Sequence, residues 1–245
     1  PVAKAKRATR RIGPAELSGN PNILETSKEG AMLVRKWMTP DPMTMQVTDS
    51  VNEAIRLLKE KNIRHLPVME GDRLVGIATD RDLKEFAPSK ATTLDVYELR
   101  YVLSKTTLAS AMHKDPLWLG PEDTIEKAAL LMHDNKIGCL PVKNDAGKLI
   151  GILTQEDVFE ALVVVTGCRS NTLRLQMTID DAPGSVRDVA DKVRAHGVKV
   201  RSILTSTADV AQGKRELILR VEGDAGGLEA ELKKEYPDLM VNQGC

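Results

Sequence analysis

The chain has 245 residues, 35 acidic and 35 basic, and no formal net charge; such a balance argues against an electrostatic binder of nucleic acid or of an anionic membrane surface. The length suffices for two compact domains with cores of their own, and no apolar run approaches the roughly 18 residues that a membrane-spanning helix needs. Cys139, Cys168 and Cys245 are too far apart for C-x-x-C chemistry and fit buried or surface thiols in a reducing, cytoplasmic setting.

Residues 1–31 carry Lys4, Lys6, Arg7, Arg10 and Arg11 but no apolar periodicity, and are expected to be a disordered extension or an expression remnant, a nucleic-acid arm being the weaker reading. Met43 to Val47 then predicts a short strand. Behind the cap Asp49-Ser50, Val51, Ala54, Ile55 and Leu58 recur at helical spacing. Two apolar strands, Leu66 to Met69 and Leu74 to Ala78, flank the turn Glu70-Gly71-Asp72, and a helix begins at Thr79. A linker, 88–107, offers Leu94, Tyr97, Leu99 and Val102 as a packed connector. The pattern then returns: a strand at Leu117 to Leu119, a helix carrying Ile125, Ala128, Ala129 and Met132, strands at Leu140 to Val142 and Leu149 to Leu153, and a helix from Thr154.

Met38 to Asp82 aligns with Met112 to Asp157, with one gap opposite Gly147. The identities include Asp41-Pro42 with Asp115-Pro116, Leu66-Pro67-Val68 with Leu140-Pro141-Val142, and Gly76-Ile77 with Gly151-Ile152. Their clustering at turns and strand cores marks a repeated supersecondary unit, giving repeats over 32–87 and 108–166. One unit has too few strands to bury its open face, so the two are expected to pack sheet to sheet about a pseudo-twofold axis. From 167 to 245 the texture changes. Leu173 to Ile179, Val198 to Thr205, Glu216 to Val221 and Leu239 to Val241 predict strands around two helices, in the β-α-β-β-α-β order of a ferredoxin-like domain. The fold class is α/β, or α+β.

Both repeats close on a strand glycine followed by Thr-x-x-Asp: Gly76 to Thr79 and Asp82, Gly151 to Thr154 and Asp157. The glycine is expected to let the chain turn, the Thr hydroxyl to stand at a helix mouth whose backbone donors attract phosphate, and the carboxylate to suit the hydroxyls of a ribose. The same residues also read as a capping box that only satisfies backbone donors. His65 fits either a nucleotide contact or a packed histidine, and Trp118 either an adenine pocket or a half-buried strand. His113, His133 and His196 are scattered, so no metal site is expected.

With these motifs the pair resembles cystathionine-β-synthase (CBS) domains arranged as a Bateman module, a regulatory fold that commonly binds adenine nucleotides. The resemblance implies ribose contacts at Asp82 and Asp157 and phosphate contacts at Thr79 and Thr154. It implies sites completed by Met43, Ile63, Arg64 and His65 in one half, and by Leu117, Ile137, Gly138 and Cys139 in the other. Arg81 adds a cation where the second copy has Glu156, which predicts a preference of the first site for more highly charged phosphates. Asp181-Ala182-Pro183-Gly184 before a helix resembles an ACT domain and implies a weak amino-acid site at Asp181 and Gly184. The order of two repeats and an ACT domain, with Pro88 to Ala91 and Leu103 to Lys105 between, is similar to acetoin-utilisation (AcuB-like) proteins. No Gly-x-Ser-x-Gly, Walker loop or His-Glu-x-x-His is present. The expectation is a non-catalytic homodimeric regulator that needs no cofactor and takes AMP, ADP or ATP as its ligand. The alternatives are a ligand-independent dimerising scaffold and an amino-acid sensor.

Overall fold

The computed structural model describes residues 32–85 and 104–243. The expectations for residues 1–31, for most of the linker with Leu94, Tyr97, Leu99 and Val102, and for Cys245 lie outside the described residues. In chain order the elements are α1 (Val34–Trp37), β1 (Thr39–Pro40), β2 (Met45–Gln46), α2 (Val51–Lys61), β3 (His65–Glu70), β4 (Arg73–Thr79), α3 (Asp80–Glu85), α4 (Leu108–Ala111), β5 (His113–Lys114), α5 (Ile125–Asn135), β6 (Cys139–Lys143), β7 (Leu149–Thr154) and α6 (Gln155–Val165). The C-terminal region adds β8 (Leu173–Asp180), α7 (Ser185–Ala195), β9 (Lys199–Ser206), β10 (Lys214–Glu222), α8 (Gly226–Glu235) and β11 (Met240–Gln243).

The repeats share their local causes. Ser50 and Glu53 form a capping box at the start of α2, and Thr124 accepts from Lys127 N at the start of α5. Each helix buries an apolar stripe (Val51, Ala54 and Leu58; Ile125, Ala128 and Met132) and stops on a left-handed residue, Asn62 or Lys136. The hairpins β3–β4 and β6–β7 pair antiparallel, as expected. The first strands are shorter than expected. Only Met45–Gln46 pairs with β3, and Leu119 makes a single bridge to Val142, because Pro42 and Pro116 just upstream lack the N–H that a longer ladder needs.

The halves are locked by exchanging their leading segments. β1, in the leading segment of the first repeat, pairs with β7 of the second (Thr39 with Ile152), and β5, in the leading segment of the second, pairs with β4 of the first (His113 with Ile77). The helices follow: Val34 of α1 is buried among Leu119, Leu140, Val142 and Leu153, while Leu108 of α4 is buried among Leu66, Val68, Ala78 and Leu83. Each fully buried leucine contributes about 2 kcal/mol, so neither core is complete without chain from the other half. Ile77, Cys139 and Ile152 form the buried seam between them. This reciprocity gives the two repeats a pseudo-twofold arrangement.

The exchange corrects the reading of the motif glycines. Gly76 and Gly151 do not turn the chain; they lie inside β4 and β7. A Cβ on Gly76 would stand 2.4 Å from Met112 Sδ and 2.8 Å from the His113 carbonyl oxygen, and one on Gly151 would stand 2.4 Å from Met38 Sδ and 3.2 Å from the Thr39 oxygen. The glycines admit the incoming segment, and the repeated methionines are its packing.

The C-terminal strands form an antiparallel sheet ordered β11-β8-β10-β9, the arrangement of a ferredoxin-like split. Leu175, Met177, Leu217, Leu219, Val189, Val193, Leu228 and Leu232 make its core under α7 and α8. The domain joins the pair at the end of α6, where Ser202 Oγ of β9 donates to the Thr166 carbonyl at 2.8 Å and the buried Arg220 of β10 contacts Thr172 and Cys168. Cys168 is disulfide-bonded, not the thiol expected, whereas Cys139 is free and buried. Among the described residues no helix is long and apolar enough to cross a membrane.

Candidate functional site

Thr79 and Thr154 end β4 and β7, each directly before a helix. Hairpin register sets His65 opposite Thr79 and Cys139 opposite Thr154. Asp80 N donates to the Arg64 carbonyl at 3.0 Å, and Gln155 N to that of Gly138 at 3.0 Å. The fold therefore brings Ile63, Arg64 and His65 beside Thr79, Arg81 and Asp82, and Ile137, Gly138 and Cys139 beside Thr154 and Asp157. Met43 and Leu117 are both exposed. The parallel pairing of Met45 with Val68 and of Leu119 with Val142 carries them level with Leu66 and Leu140, at the edge of each cluster.

Both motifs form reciprocal caps. Thr79 N donates to Asp82 Oδ2 at 2.9 Å, and Asp82 N donates to Thr79 Oγ1 at 3.3 Å. Thr154 N and Thr154 Oγ1 both donate to Asp157 Oδ2 at 2.7 Å, and Asp157 N returns to Thr154 Oγ1 at 3.4 Å. A carboxylate has about four acceptor positions on its two oxygens, so capping occupies only part of each aspartate.

The halves differ in what surrounds that shared skeleton. Asp82 Oδ1 is bound at 2.9 Å by His113 Nε2, carried in on β5, whereas the bonds from Thr154 all fall on Asp157 Oδ2. Arg64 Nη1 reaches across to Glu156 Oε1 at 2.9 Å, so the carboxylate expected to oppose Arg81 is paired with a cation of the other repeat. His65 lies at the same interface, its Nε2 3.0 Å from where a Cβ on Gly138 would stand. Burial holds the His65 pKa below its usual range, helped by Arg64 and opposed by Glu156 and Asp82. At the equivalent position burial, with Asp82 adding to it, pushes the Cys139 thiol up to about 12, so it stays protonated and poorly nucleophilic. Trp118 is about half exposed, at 52%, with Lys143 Nζ 5.3 Å from its ring centre, and it lies outside any strand, so the strand reading of it does not hold.

Sequence reading passed over His113. The available signal was its place next to Met112 within the duplicated block, opposite Thr39. Only the chain exchange sets it against Asp82.

In the C-terminal domain, Asp181, Pro183, Gly184, Arg187, Ile203 and Arg215 line a recess. Gly184 has φ 98°, open to glycine at little cost, and Arg215 Nε donates to Asp181 Oδ1 at 2.7 Å.

A model of the CBS domain matches residues 34–89 and 108–164. A CBS domain-containing protein of Dictyostelium discoideum is 30% identical over 135 residues, 55% of this chain and 93% of that protein. CBSX2 of Arabidopsis thaliana is 31% identical over 172 residues, 62% of this chain and 71% of that one. A solved structure of CBSX2 in complex with AMP is 33% identical and covers 55% of this chain and 98% of its own, with a TM-score of 0.45. That of an acetoin-utilisation protein, AcuB, from Vibrio cholerae is 29% identical and covers 56% and 95%, with a TM-score of 0.46. An inosine-5'-monophosphate dehydrogenase of Korarchaeum cryptofilum is 39% identical over 119 residues, but the chain spans only 22% of that enzyme's length.

Proposed function

The chain belongs to the CBS-domain family, and from that premise we propose that it is a non-catalytic regulatory protein binding adenine nucleotides, AMP, ADP or ATP, at two sites between its repeats. In this reading Asp82 and Asp157 take ribose hydroxyls and Thr79 and Thr154 meet phosphate. Met43, Ile63, Arg64, His65 and Arg81 complete the first site, and Leu117, Ile137, Gly138 and Cys139 the second. The observation that carries it is the convergence, in both halves, of the Thr-x-x-Asp motif with the residues that enter the preceding strand. Capping and ribose binding are compatible, because each carboxylate keeps acceptor positions that its cap does not use, and a charge-assisted bond there adds roughly 1.5 to 3 kcal/mol. The relative CBSX2, known in complex with AMP, supports the ligand class. Arg81 on the first site, where the second has Glu156, favours more highly charged phosphates there.

The route of transmission is α6. Thr154 caps it and its first turn holds Asp157, and the carbonyl just beyond its last turn accepts from Ser202 of the C-terminal sheet. A ligand that binds two settings of this helix unequally would shift the C-terminal domain, which we assign as ACT-like and, more weakly, as an amino-acid site at Asp181 and Gly184. The domain division that goes with this is repeats over 32–87 and 108–166, a linker, and an ACT-like domain from 167.

A second reading, a dimerising scaffold, draws on exposed Leu130, Phe159 and Leu162, since the first repeat has Arg56 and Lys84 where the second has Leu130 and Phe159. Thermal unfolding with AMP, ADP, ATP, GTP and S-adenosylmethionine separates the two. A ligand at a hundred times its Kd adds about 2.7 kcal/mol, expected to raise the midpoint by roughly 5 to 10 °C and to be lost in Asp82→Ala/Asp157→Ala. No rise with any of them leaves the scaffold.

A further inference from the structure

Asp82 is the one motif carboxylate with a described partner from the opposite exchanged segment. Its side chain is only 15% exposed, while that of His113 is 75% exposed. The ring therefore lies outside both cores, and removing it opens no cavity. It is delivered by the close approach that Gly76 permits, with His113 in register with Ile77. In the matching register of the other half Thr39 faces Ile152, and a Thr side chain is shorter than the imidazole by more than a bond.

We propose that His113 is a positioning residue of the Thr79/Asp82 site, fixing the ribose-binding carboxylate so that this site takes adenine nucleoside phosphates more tightly than the Thr154/Asp157 site. The inference rests on the adenine-nucleotide reading above. A carboxylate accepts and does not donate, so the Nε2 that meets Asp82 Oδ1 carries the hydrogen. With Oδ2 held by Thr79 N and Oδ1 by His113, both torsions of Asp82 are set before a ligand arrives, and less freedom is lost on binding than at Asp157. In the neutral imidazole Nδ1 remains an acceptor, able to take a hydrogen bond from a ribose hydroxyl drawn to the same carboxylate.

The test is calorimetry on the full chain with AMP, each site isolated by disabling the other aspartate. With Asp157→Ala as background, His113→Thr is expected to weaken AMP roughly 5-fold, and His113→Gln, which keeps an N–H donor, to restore it to within about 2-fold. With Asp82→Ala as background, His113→Thr should change nothing, while Thr39→His should tighten AMP by about the same factor. The unfolding midpoint of His113→Thr should stay within about 1 °C of its background, as for other exposed substitutions. Unchanged affinity in the first background, equal weakening at both sites, or a loss that Gln does not rescue would each overturn the proposal. If the unsubstituted chain takes up no AMP at all, the adenine reading falls and this one with it, an outcome distinct from the others because it precedes any substitution at 113.

Discussion

In both repeats an aspartate before proline sits in the left-handed region, Asp41 at φ 45° and Asp115 at 51°, and the first long helix ends on a left-handed residue, Asn62 at 52° and Lys136 at 54°. At the sites the same two halves diverge: Asp82 is gripped by His113 and Asp157 is not, Arg64 stands where the second half has Gly138, and His65 where it has Cys139. The contrast separates what the duplication must keep from what it is free to vary. Backbone that carries the exchange is held, while side chains around the two Thr-x-x-Asp motifs differ, so the two clusters need not act alike.

The comparison can be broken first in the cores. Leu66→Ala and Leu140→Ala remove equivalent, fully buried side chains and should each cost about 3 kcal/mol in urea unfolding; losses differing by more than about 1 kcal/mol would mean the halves are not energetically equivalent. The motif glycines should already be unequal. Gly76→Ala drives a Cβ against a backbone oxygen at 2.8 Å, while Gly151→Ala meets chiefly the flexible Met38, with the nearest backbone oxygen at 3.2 Å. Expected costs are about 2 to 3 and about 1 kcal/mol, and a reversed order would discredit the close-approach account.

A pH titration sharpens the difference between His65 and Cys139. Because burial favours neutral His65, its contribution is complete above its ordinary value of 6.5 and is lost as the pH falls below that value toward the folded one. Cys139, raised to about 12, stays neutral through that window and loses stability only as the pH climbs past 9. His65→Cys should therefore flatten the stability profile below pH 6.5; an unaltered slope would assign it elsewhere. The smallest effect is expected at Glu156. Its ion pair with Arg64 is mostly exposed on both sides, so Glu156→Gln should change stability by less than about 1 kcal/mol, measurable as a small shift in urea midpoint that disappears in high salt.

Much of the architecture was legible because it is written in local patterns. The stripe Val51, Ala54, Leu58 and the apolar runs around Gly71 name helix and hairpin without tertiary help. What escaped was tertiary. No spacing tells that Thr39 will pair with Ile152 and His113 with Ile77, so Gly76 read as a turn and His113 as a stray histidine. The motif was legible as two alternatives, cap or ligand site. The geometry realises the cap without using up the carboxylates, which is why sequence alone could not choose.

The most direct test of the central claim is a crystal structure of the chain grown with AMP. The account predicts nucleotide between the repeats, with ribose hydroxyls within hydrogen-bond distance of the Asp82 and Asp157 carboxylates and phosphate near Thr79 and Thr154. Nucleotide found only elsewhere, such as in the recess beside Asp181, with both aspartates bonded solely to their caps, would contradict it.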